Sequence, residues 1–287
     1  MMRICRFLTK DQPKPRIGCL NEQKRVVDLS LVDVHTIQHV LDPATRSSLQ
    51  ARVKAENPPT HPLAEVRLLA PVDHQEVWAA GVTYLRSKNA RMEESDFSAT
   101  AYDRVYEAPR PEIFFKSMPS KVVANGEPVG IRKDANWNVP EPELALVMDS
   151  NGCVAGYTIG NDMSSRDIEG ENLLYLPQAK MYDRSCSLGP WLVLGVDEGT
   201  VRQWTIGIII RRRDTVVFKG ETSLNQIKRS FTELAHYLFR SQTFASGAVL
   251  LTGTGVVPED DFSLEEGDHV AIHVSGIGTL ENPVIRV

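Results

Sequence analysis

Short apolar runs separated by polar turns occupy most of the chain, and this pattern predicts a protein rich in β-strands. From residue 77 onward the runs are "VWAAGVTY", "EIFFK", "ELALVMD", "VAGYTIGND", "WLVLGV", "TIGIIIRR", "TVVFKGE", "AVLLTGT" and "HVAIHVSGIG". Glycine, proline or acidic residues bound each run, as expected for strands joined by turns. We therefore expect a β-rich unit over residues 71–287.

Helical spacing is clear at one place in this unit. The segment "SLNQIKRSFTELAHYLF" repeats apolar residues at intervals of three and four, which predicts an amphipathic helix with Ile227, Phe231, Leu234 and Leu238 on its buried face. The polar segment "SRDIEGENLLYLPQAKMYDRSC" contains a proline and follows a predicted strand. We interpret that segment as a functional loop or short helix.

The first 70 residues have a different pattern, which predicts a small αβ domain. Three short strand-like runs, "RICRFL", "RIGCL" and "RVVDLS", precede "LVDVHTIQHVL" and "PATRSSLQARVKA", whose apolar spacing predicts two short helices. The proline-rich stretch "AENPPTHPLAE" then reads as a linker or covering loop. We place the domain boundary at residue 70.

Composition and charge give no support to several classes of function. The net charge is −5 and the isoelectric point is about 5.8, so nothing favours nucleic acid or an anionic membrane as a partner. No apolar stretch approaches the roughly 18 residues of a membrane span, and we expect a cytoplasmic protein. The four cysteines show no CxxC spacing, which argues against a zinc site or a disulfide framework.

Three carboxylates form the candidate chemical centre. In "NVPEPELALVMD" Glu141 and Glu143 occupy alternate positions and should project from one face of a strand. The turn "DSNGCVAG" folds the chain back and brings Asp162 towards them. Three carboxylates without histidine or thiolate suit a hard cation, Mg²⁺ or Mn²⁺, with Ca²⁺ possible. Alternatively, the glutamates face solvent on an edge strand and Asp162 caps a turn.

Two cationic residues follow Asp162 on the polar segment. Arg166 and Lys180 are suited to hold an anionic substrate, such as a keto acid, beside a metal ion. Arg166 could instead pair with Asp167 or Glu169 at the surface, and Lys180 could extend into solvent. The residues alone leave both interpretations open.

Several motifs together resemble the fumarylacetoacetate hydrolase family. They are "GYTIGNDMSSRD", "KMYDRSCSLGPW", "LLTGTG" and "GIGTLENPV", in order over residues 76–287. The segments "TYLRSKNAR", "RPEIFFKSMPSKVV", "WNVPEPELALVMDSNG" and "SRDIEGENLLYLPQAK" are most similar to the family's 2-keto-3-deoxy-D-arabinonate (D-xylonate) dehydratase branch. The resemblance implies an α+β fold with a mixed β-roll catalytic domain and a smaller N-terminal domain. It also implies a homodimer or homotetramer, and Mg²⁺ held by Glu141, Glu143 and Asp162.

One departure from the hydrolytic members affects the expected reaction. Those members resemble G-x-N-Y-x-x-H at a stretch that reads "GVTYLRS" here, so Ser87 stands where their water-activating histidine would be. None of the seven histidines of this chain is an obvious substitute. Hydrolysis of a carbon–carbon bond is therefore disfavoured, because it needs a base within reach of the water.

The resemblance implies dehydration of a 2-keto-3-deoxy sugar acid to 2,5-dioxopentanoate. We assign Lys180, as the neutral amine, to remove the C3 proton and Glu112 to protonate the leaving hydroxyl, although the two roles could be exchanged. Arg166 would bind the substrate carboxylate, and Ser87, Tyr84 and Thr254 its hydroxyls. Glu112 could instead pair with Arg110, and Thr254 could cap its own turn.

Two other classes of function stay open. A hydrolase, decarboxylase or isomerase of a related diketo acid would keep the metal carboxylates but need a different base. A non-catalytic keto-acid-binding protein is the more remote alternative.

Overall fold

β-Strands form most of the molecule, as the apolar runs predict. The structure is a computed structural model that describes residues 1–85 and 104–287. Its strands are β1 (Met2–Thr9), β2 (Gln12–Leu20), β3 (Arg25–Asp28), β4 (Thr60–Pro62), β5 (Val66–Leu69), β6 (Glu76–Gly81), β7 (Glu112–Ser117), β8 (Val129–Ile131), β9 (Asn138–Val139), β10 (Pro142–Met148), β11 (Val154–Asp162), β12 (Ser164–Ser165), β13 (Cys186–Leu194), β14 (Thr205–Arg212), β15 (Thr215–Ser223), β16 (Ala248–Leu251), β17 (Asp268–Val274) and β18 (Gly278–Arg286).

The helices are short and lie between the strands. The α-helices of the described residues include α1 (Ile37–Leu41), α2 (Pro43–Glu56), α3 (Arg166–Glu171), α4 (Leu176–Lys180), α5 (Glu198–Val201) and α6 (Phe231–Phe239). Single 3₁₀ turns cover Leu29–Val32, Leu63–Glu65, Pro119–Lys121, Leu173–Tyr175 and Leu224–Gln226. Among the described residues, every helix is too short or too polar to span a bilayer.

Two large sheets organise the described chain. The larger sheet runs in the order β4-β3-β2-β1-β13-β11-β10-β16-β6-β7, and β5 pairs with β1 beside this path. The second sheet runs β15-β14-β17-β18-β8, and a small ladder joins β12 to β9. Most pairs are antiparallel, while β16 pairs with β6 and β18 with β8 in parallel. This mixed, β-rich arrangement confirms the α+β fold class.

The N-terminal residues share the larger sheet. Strand β1 pairs with β13 from Met2 to Ile4, so the strands before residue 70 extend the sheet of the residues that follow. Helices α1 and α2 cover this part, and Leu49 of α2 is fully buried in its apolar cluster. The stretch predicted as a linker contributes β4 and a 3₁₀ turn instead, because Thr60–Pro62 pairs with β3. The division of the chain at residue 70 stays a prediction.

The predicted amphipathic helix is shorter than its apolar spacing suggested. Helix α6 begins at Phe231 because the Ser230 hydroxyl caps it there. This hydroxyl accepts a hydrogen bond from the backbone amide of Glu233 at 3.1 Å. Residues 224–226 form a 3₁₀ turn before this cap. All four residues of the predicted stripe are nevertheless buried: Ile227, Phe231, Leu234 and Leu238.

Candidate functional site

The β10–β11 hairpin brings the three predicted carboxylates together. Glu143 pairs with Gly160 across the hairpin, and the amide of Asp162 donates to the carbonyl of Glu141 at 3.0 Å. Strand β10 begins at Pro142, so Glu141 lies just before the strand in which it was expected. Candidate ligand oxygens of Glu141, Glu143 and Asp162 lie within 4.8 Å of one another, and no side chain of the three is solvent-exposed. The alternative of glutamates facing solvent is therefore wrong.

Charge repulsion and burial act together on this cluster. The pKa of Glu143 is raised well above its usual value, first by burial and then by the charges of Asp162 and Glu141. The amide of Gly253 donates to Glu143 Oε2 at 2.6 Å and partly offsets this increase. A divalent cation at the three carboxylates would remove the cause of the repulsion. Three oxygen donors without nitrogen or sulfur fit a hard cation such as Mg²⁺.

Arg166 and Lys180 are buried against these carboxylates and do not extend into solvent. An Arg166 guanidinium nitrogen lies 2.7 Å from Glu141 Oε1, and Lys180 Nζ lies 2.7 Å from Glu141 Oε2. The same ammonium contacts Asp162 Oδ2 at 3.4 Å and Ser164 Oγ at 2.5 Å. Helices α3 and α4 place the two cations, since α3 begins at Arg166 and α4 ends at Lys180. The two cations compensate part of the negative charge of the cluster.

Glu112 lies at the same cavity, on the neighbouring part of the sheet. Strand β7 begins at Glu112, which pairs with Gly81 of β6. A Cβ atom at Gly81 would lie 2.0 Å from Glu112 Oε2, so this glycine gives the carboxylate its space. Glu112, Phe114, Glu169, Lys180 and Thr254 line one cavity together with the three clustered carboxylates. The acid and the base predicted from sequence therefore face a shared volume that includes the candidate metal ligands.

The predicted hydroxyl-binding residues have different surroundings. Thr254 lines the cavity. Its hydroxyl also accepts a hydrogen bond from the backbone amide of Val256 at 3.2 Å, as expected for a threonine that caps a turn. Tyr84 is buried in the larger apolar cluster, and burial followed by the charge of Glu143 raises the pKa of its hydroxyl. Ser87 lies outside the described residues. Their roles in substrate binding stay predictions.

The sequence interpretation missed two buried charged residues. Lys116 of β7 pairs with Asp162, and its side chain has no solvent exposure. Glu169 of α3 is buried and lines the cavity, although it was considered only as a surface partner of Arg166. A lysine directly after the apolar run "IFF" was the available signal for Lys116, and the i, i+3 spacing from Arg166 was the signal for Glu169. No histidine of the described ranges lines this cavity.

The chain is similar to dehydratases of keto sugar acids. It is 50% identical over 217 residues to a probable 2-keto-3-deoxyxylonate dehydratase of Haloferax volcanii, covering 76% of this chain and 74% of that protein. It is 42% identical over 223 residues to the 2-dehydro-3-deoxy-D-arabinonate dehydratase of Saccharolobus solfataricus, covering 77% of this chain and 75% of that protein.

A solved structure gives the same result over the full length. The structure of 2-keto-3-deoxy-D-arabinonate dehydratase complexed with magnesium and 2,5-dioxopentanoate superposes with a TM-score of 0.82 at 32% identity, covering 100% of this chain and 99% of that chain. Residues 76–285 match the model of the fumarylacetoacetate (FAA) hydrolase C-terminal family. The chain therefore belongs to the fumarylacetoacetate hydrolase family.

Proposed function

We propose that this protein is a Mg²⁺-dependent dehydratase that converts 2-keto-3-deoxy-D-arabinonate to 2,5-dioxopentanoate. The observation that carries the proposal is the shared cavity, in which three clustered carboxylates, Lys180 and Glu112 face one another. The relatives at 50% and 42% identity are dehydratases of such acids, and a structural neighbour holds magnesium and this product.

Glu141, Glu143 and Asp162 are the residues that would hold Mg²⁺. When bound, the cation acts as a Lewis acid that polarises the C2 ketone of the substrate and makes the C3 proton more acidic. Arg166 at the edge of this cluster supplies a guanidinium for the C1 carboxylate of the substrate. The substrate would then be held by its anionic end, with its hydroxyls directed towards the remaining cavity wall.

Lys180 and Glu112 provide the two proton-handling groups that dehydration requires. Lys180, as the neutral amine, takes a proton from C3, and Glu112 donates a proton to the C4 hydroxyl, which leaves as water. The C3–H and C4–O bonds break, and a C3–C4 double bond forms to give an enone. The proton on C5 then moves to C3, which leaves an enol with a C4–C5 double bond. This enol tautomerises as its hydroxyl proton is lost and a proton is added at C4, so that the C5 alcohol becomes the aldehyde without an external oxidant. The assignment of base to Lys180 and of acid to Glu112 could be exchanged.

Hydrolysis of a related diketo acid receives less support from the described residues. No histidine among them faces the cavity, and Ser87 stands in the sequence where the hydrolytic members carry one. We propose the cytoplasm as the compartment, on the apolar pattern of the sequence, and a homodimer or homotetramer as the assembly, on the family resemblance. Size-exclusion chromatography with light scattering would measure the assembly.

Mass spectrometry of the products tests the proposed reaction. Purified enzyme with Mg²⁺ and 2-keto-3-deoxy-D-arabinonate should give 2,5-dioxopentanoate, at a mass lower than the substrate by one water. A product mixture of pyruvate and glycolaldehyde would instead identify an aldolase. Faster hydrolysis of acylpyruvates than dehydration of this acid would favour the hydrolase alternative.

A further inference from the structure

Lys116 is a buried lysine that the mechanism above does not use. The ladder between β6 and β7 pairs Val77 with Ser117 and Trp78 with Phe115, so Lys116 is the extra residue of β7 at an irregularity. Such irregularities redirect a side chain away from the regular strand alternation. Burying an ammonium is costly unless charged or polar partners compensate it. The partners of Lys116 therefore indicate why the chain keeps a lysine here.

Those partners lie at the candidate metal ligands and at the end of α4, which carries Lys180. Lys116 Nζ forms an ion pair with Asp162 Oδ1 and donates to the carbonyl of Met163 at 2.9 Å. It also donates to the carbonyl of Lys180 at 2.5 Å, at the last residue of α4. One ammonium thus contacts a candidate metal ligand and the backbone of the candidate base. Two donors of the ammonium go to the two backbone carbonyls, and its charge faces Asp162 Oδ1 in an ion pair.

Asp162 is held from two sides as a result. Its Oδ1 atom faces Lys116, while its Oδ2 atom lies 3.4 Å from Lys180 Nζ. Each oxygen of this carboxylate therefore lies beside an ammonium. Without Lys116, Lys180 would be the cation left on this carboxylate among the described ion pairs, and the carboxylate could turn towards it.

We propose that Lys116 is a positioning residue that orients Asp162 for the divalent cation and fixes the end of α4 that carries Lys180. This inference rests on the proposed function, since it assigns Lys116 to the same metal site. Groups that orient metal ligands through a hydrogen bond or ion pair change metal affinity or activity by about 10-fold to 100-fold when removed. Lys116 acts through Asp162 and Lys180 and does not touch the substrate.

Calorimetric titration of Mg²⁺ into metal-free protein, in the absence of substrate, tests this role. Lys116→Met keeps most of the side-chain volume and removes the charge and the donors. We expect its Kd for Mg²⁺ to rise at least about tenfold. At saturating Mg²⁺, kcat should fall at least about tenfold while the substrate KM changes less than about threefold, because Arg166 and the cavity wall are unaltered.

Two control variants separate positioning from general destabilisation. Leu49→Ala creates a cavity in the N-terminal apolar cluster, where Leu49 is fully buried, and should lower the melting temperature while leaving the Kd for Mg²⁺ unchanged. Lys121→Met removes a lysine whose side chain is 59% exposed in its ion pair with Asp183, and it should change neither quantity. If Lys116→Met does not fold, Lys116→Gln takes its place, because it removes the charge but keeps donors for the two carbonyls.

A folded Lys116 variant with the parent's Kd for Mg²⁺ would overturn the proposal. An equal loss of Mg²⁺ affinity in Leu49→Ala would also overturn it, because the effect would then follow stability. If the parent binds Mg²⁺ but dehydrates no keto sugar acid, the proposed function fails, and the calorimetric comparison still decides the role of Lys116.

Discussion

Lys180 Nζ lies 2.7 Å from Glu141 Oε2, so the proposed base contacts a proposed metal ligand directly. The ammonium is also within 3.4 Å of Asp162 Oδ2. A cation bound at these carboxylates would compete with the ammonium for the same oxygens. The base and the Lewis acid of the proposed reaction are therefore electrostatically coupled, and the two can be separated by replacing the lysine alone.

Lys180→Met should abolish most catalysis while leaving metal binding intact. We expect kcat to fall by at least about 10²-fold, the scale for removal of a general base. Mg²⁺ binding should persist because the three carboxylates remain. In deuterated water the parent should incorporate deuterium at C3 of the substrate or in the product, and the variant should do so slowly or not at all. Mass spectrometry measures both.

A matched control for this variant is Lys121→Met, an exposed lysine in a surface ion pair. It should exchange deuterium at the parent's rate. If Lys180→Met exchanged as fast as the parent, the base would have to be another group, and Glu112 would be the first candidate.

Removing one carboxylate of the cluster should prevent Mg²⁺ binding and activity together. Glu143→Gln keeps the shape of the side chain but removes one of three anionic ligands, so we expect no activity at Mg²⁺ concentrations that saturate the parent. Calorimetry measures the binding. A Glu143→Gln protein that bound Mg²⁺ as tightly as the parent would show that this carboxylate is not a ligand, as would a parent that stayed fully active after complete metal removal by EDTA.

The same substitution should have the opposite effect on stability without metal. In the metal-free protein the three carboxylates repel one another, so Glu143→Gln should melt at a temperature equal to or above the parent's. Mg²⁺ at about 100 times its Kd should stabilise the parent by about 2.7 kcal/mol and the variant much less. Differential scanning calorimetry with and without Mg²⁺ measures both effects. A parent that shows no Mg²⁺-dependent shift would contradict a cluster of metal-binding carboxylates.

The sequence predicted the contacts of this site that form between neighbouring strands, but not those that form between distant parts of the chain. The period of two in β10 and the turn before β11 were enough to bring Glu143 and Asp162 together, because hairpin pairing is a local relationship. Lys116 could not be placed in this way. It reaches Asp162 from β7, through a strand irregularity and a contact 46 positions apart in the chain, neither of which leaves a periodic signal.

The burial of Arg166 and Lys180 could not be predicted from the local sequence pattern either. Their polar segment resembles a surface loop, and both residues could have pointed into solvent. The carboxylates of Glu141 and Asp162 bind them inside the protein instead, an outcome that depends on the tertiary arrangement of all four charges. For helix α6 the predicted apolar stripe was correct, but the predicted start was not, because the helix begins after the cap at Ser230.

Gly81 should prove important for activity although it carries no functional group. Gly81→Ala would place a methyl group 2.0 Å from Glu112 Oε2, so the carboxylate would have to leave its present position. We expect a loss of kcat of about tenfold or more, as for a displaced general acid. Steady-state kinetics and melting temperature measure the two consequences. Gly199→Ala is the control: Gly199 lies on α5, its Cβ atom would be 3.1 Å from Asp197 Oδ1, and the variant should keep the parent's kcat.

The pH dependence of Mg²⁺ binding should report the raised pKa of Glu143. Burial and the neighbouring carboxylates favour the protonated form in the metal-free protein, so Mg²⁺ must displace that proton. Affinity should therefore increase with pH while the pH is below the raised pKa of Glu143 in the metal-free protein, and level off once the pH exceeds that pKa. Over the rising part, Kd should fall by up to about tenfold per pH unit for each proton released. Titrations in two buffers of different ionisation enthalpy would count the protons released.

The control for this prediction is Glu143→Gln, which has no proton to lose at this position and should bind Mg²⁺ weakly and with a shallower pH dependence. A parent whose Mg²⁺ affinity does not change with pH, and which releases no proton on binding, would show that Glu143 is already ionised beside its two neighbours.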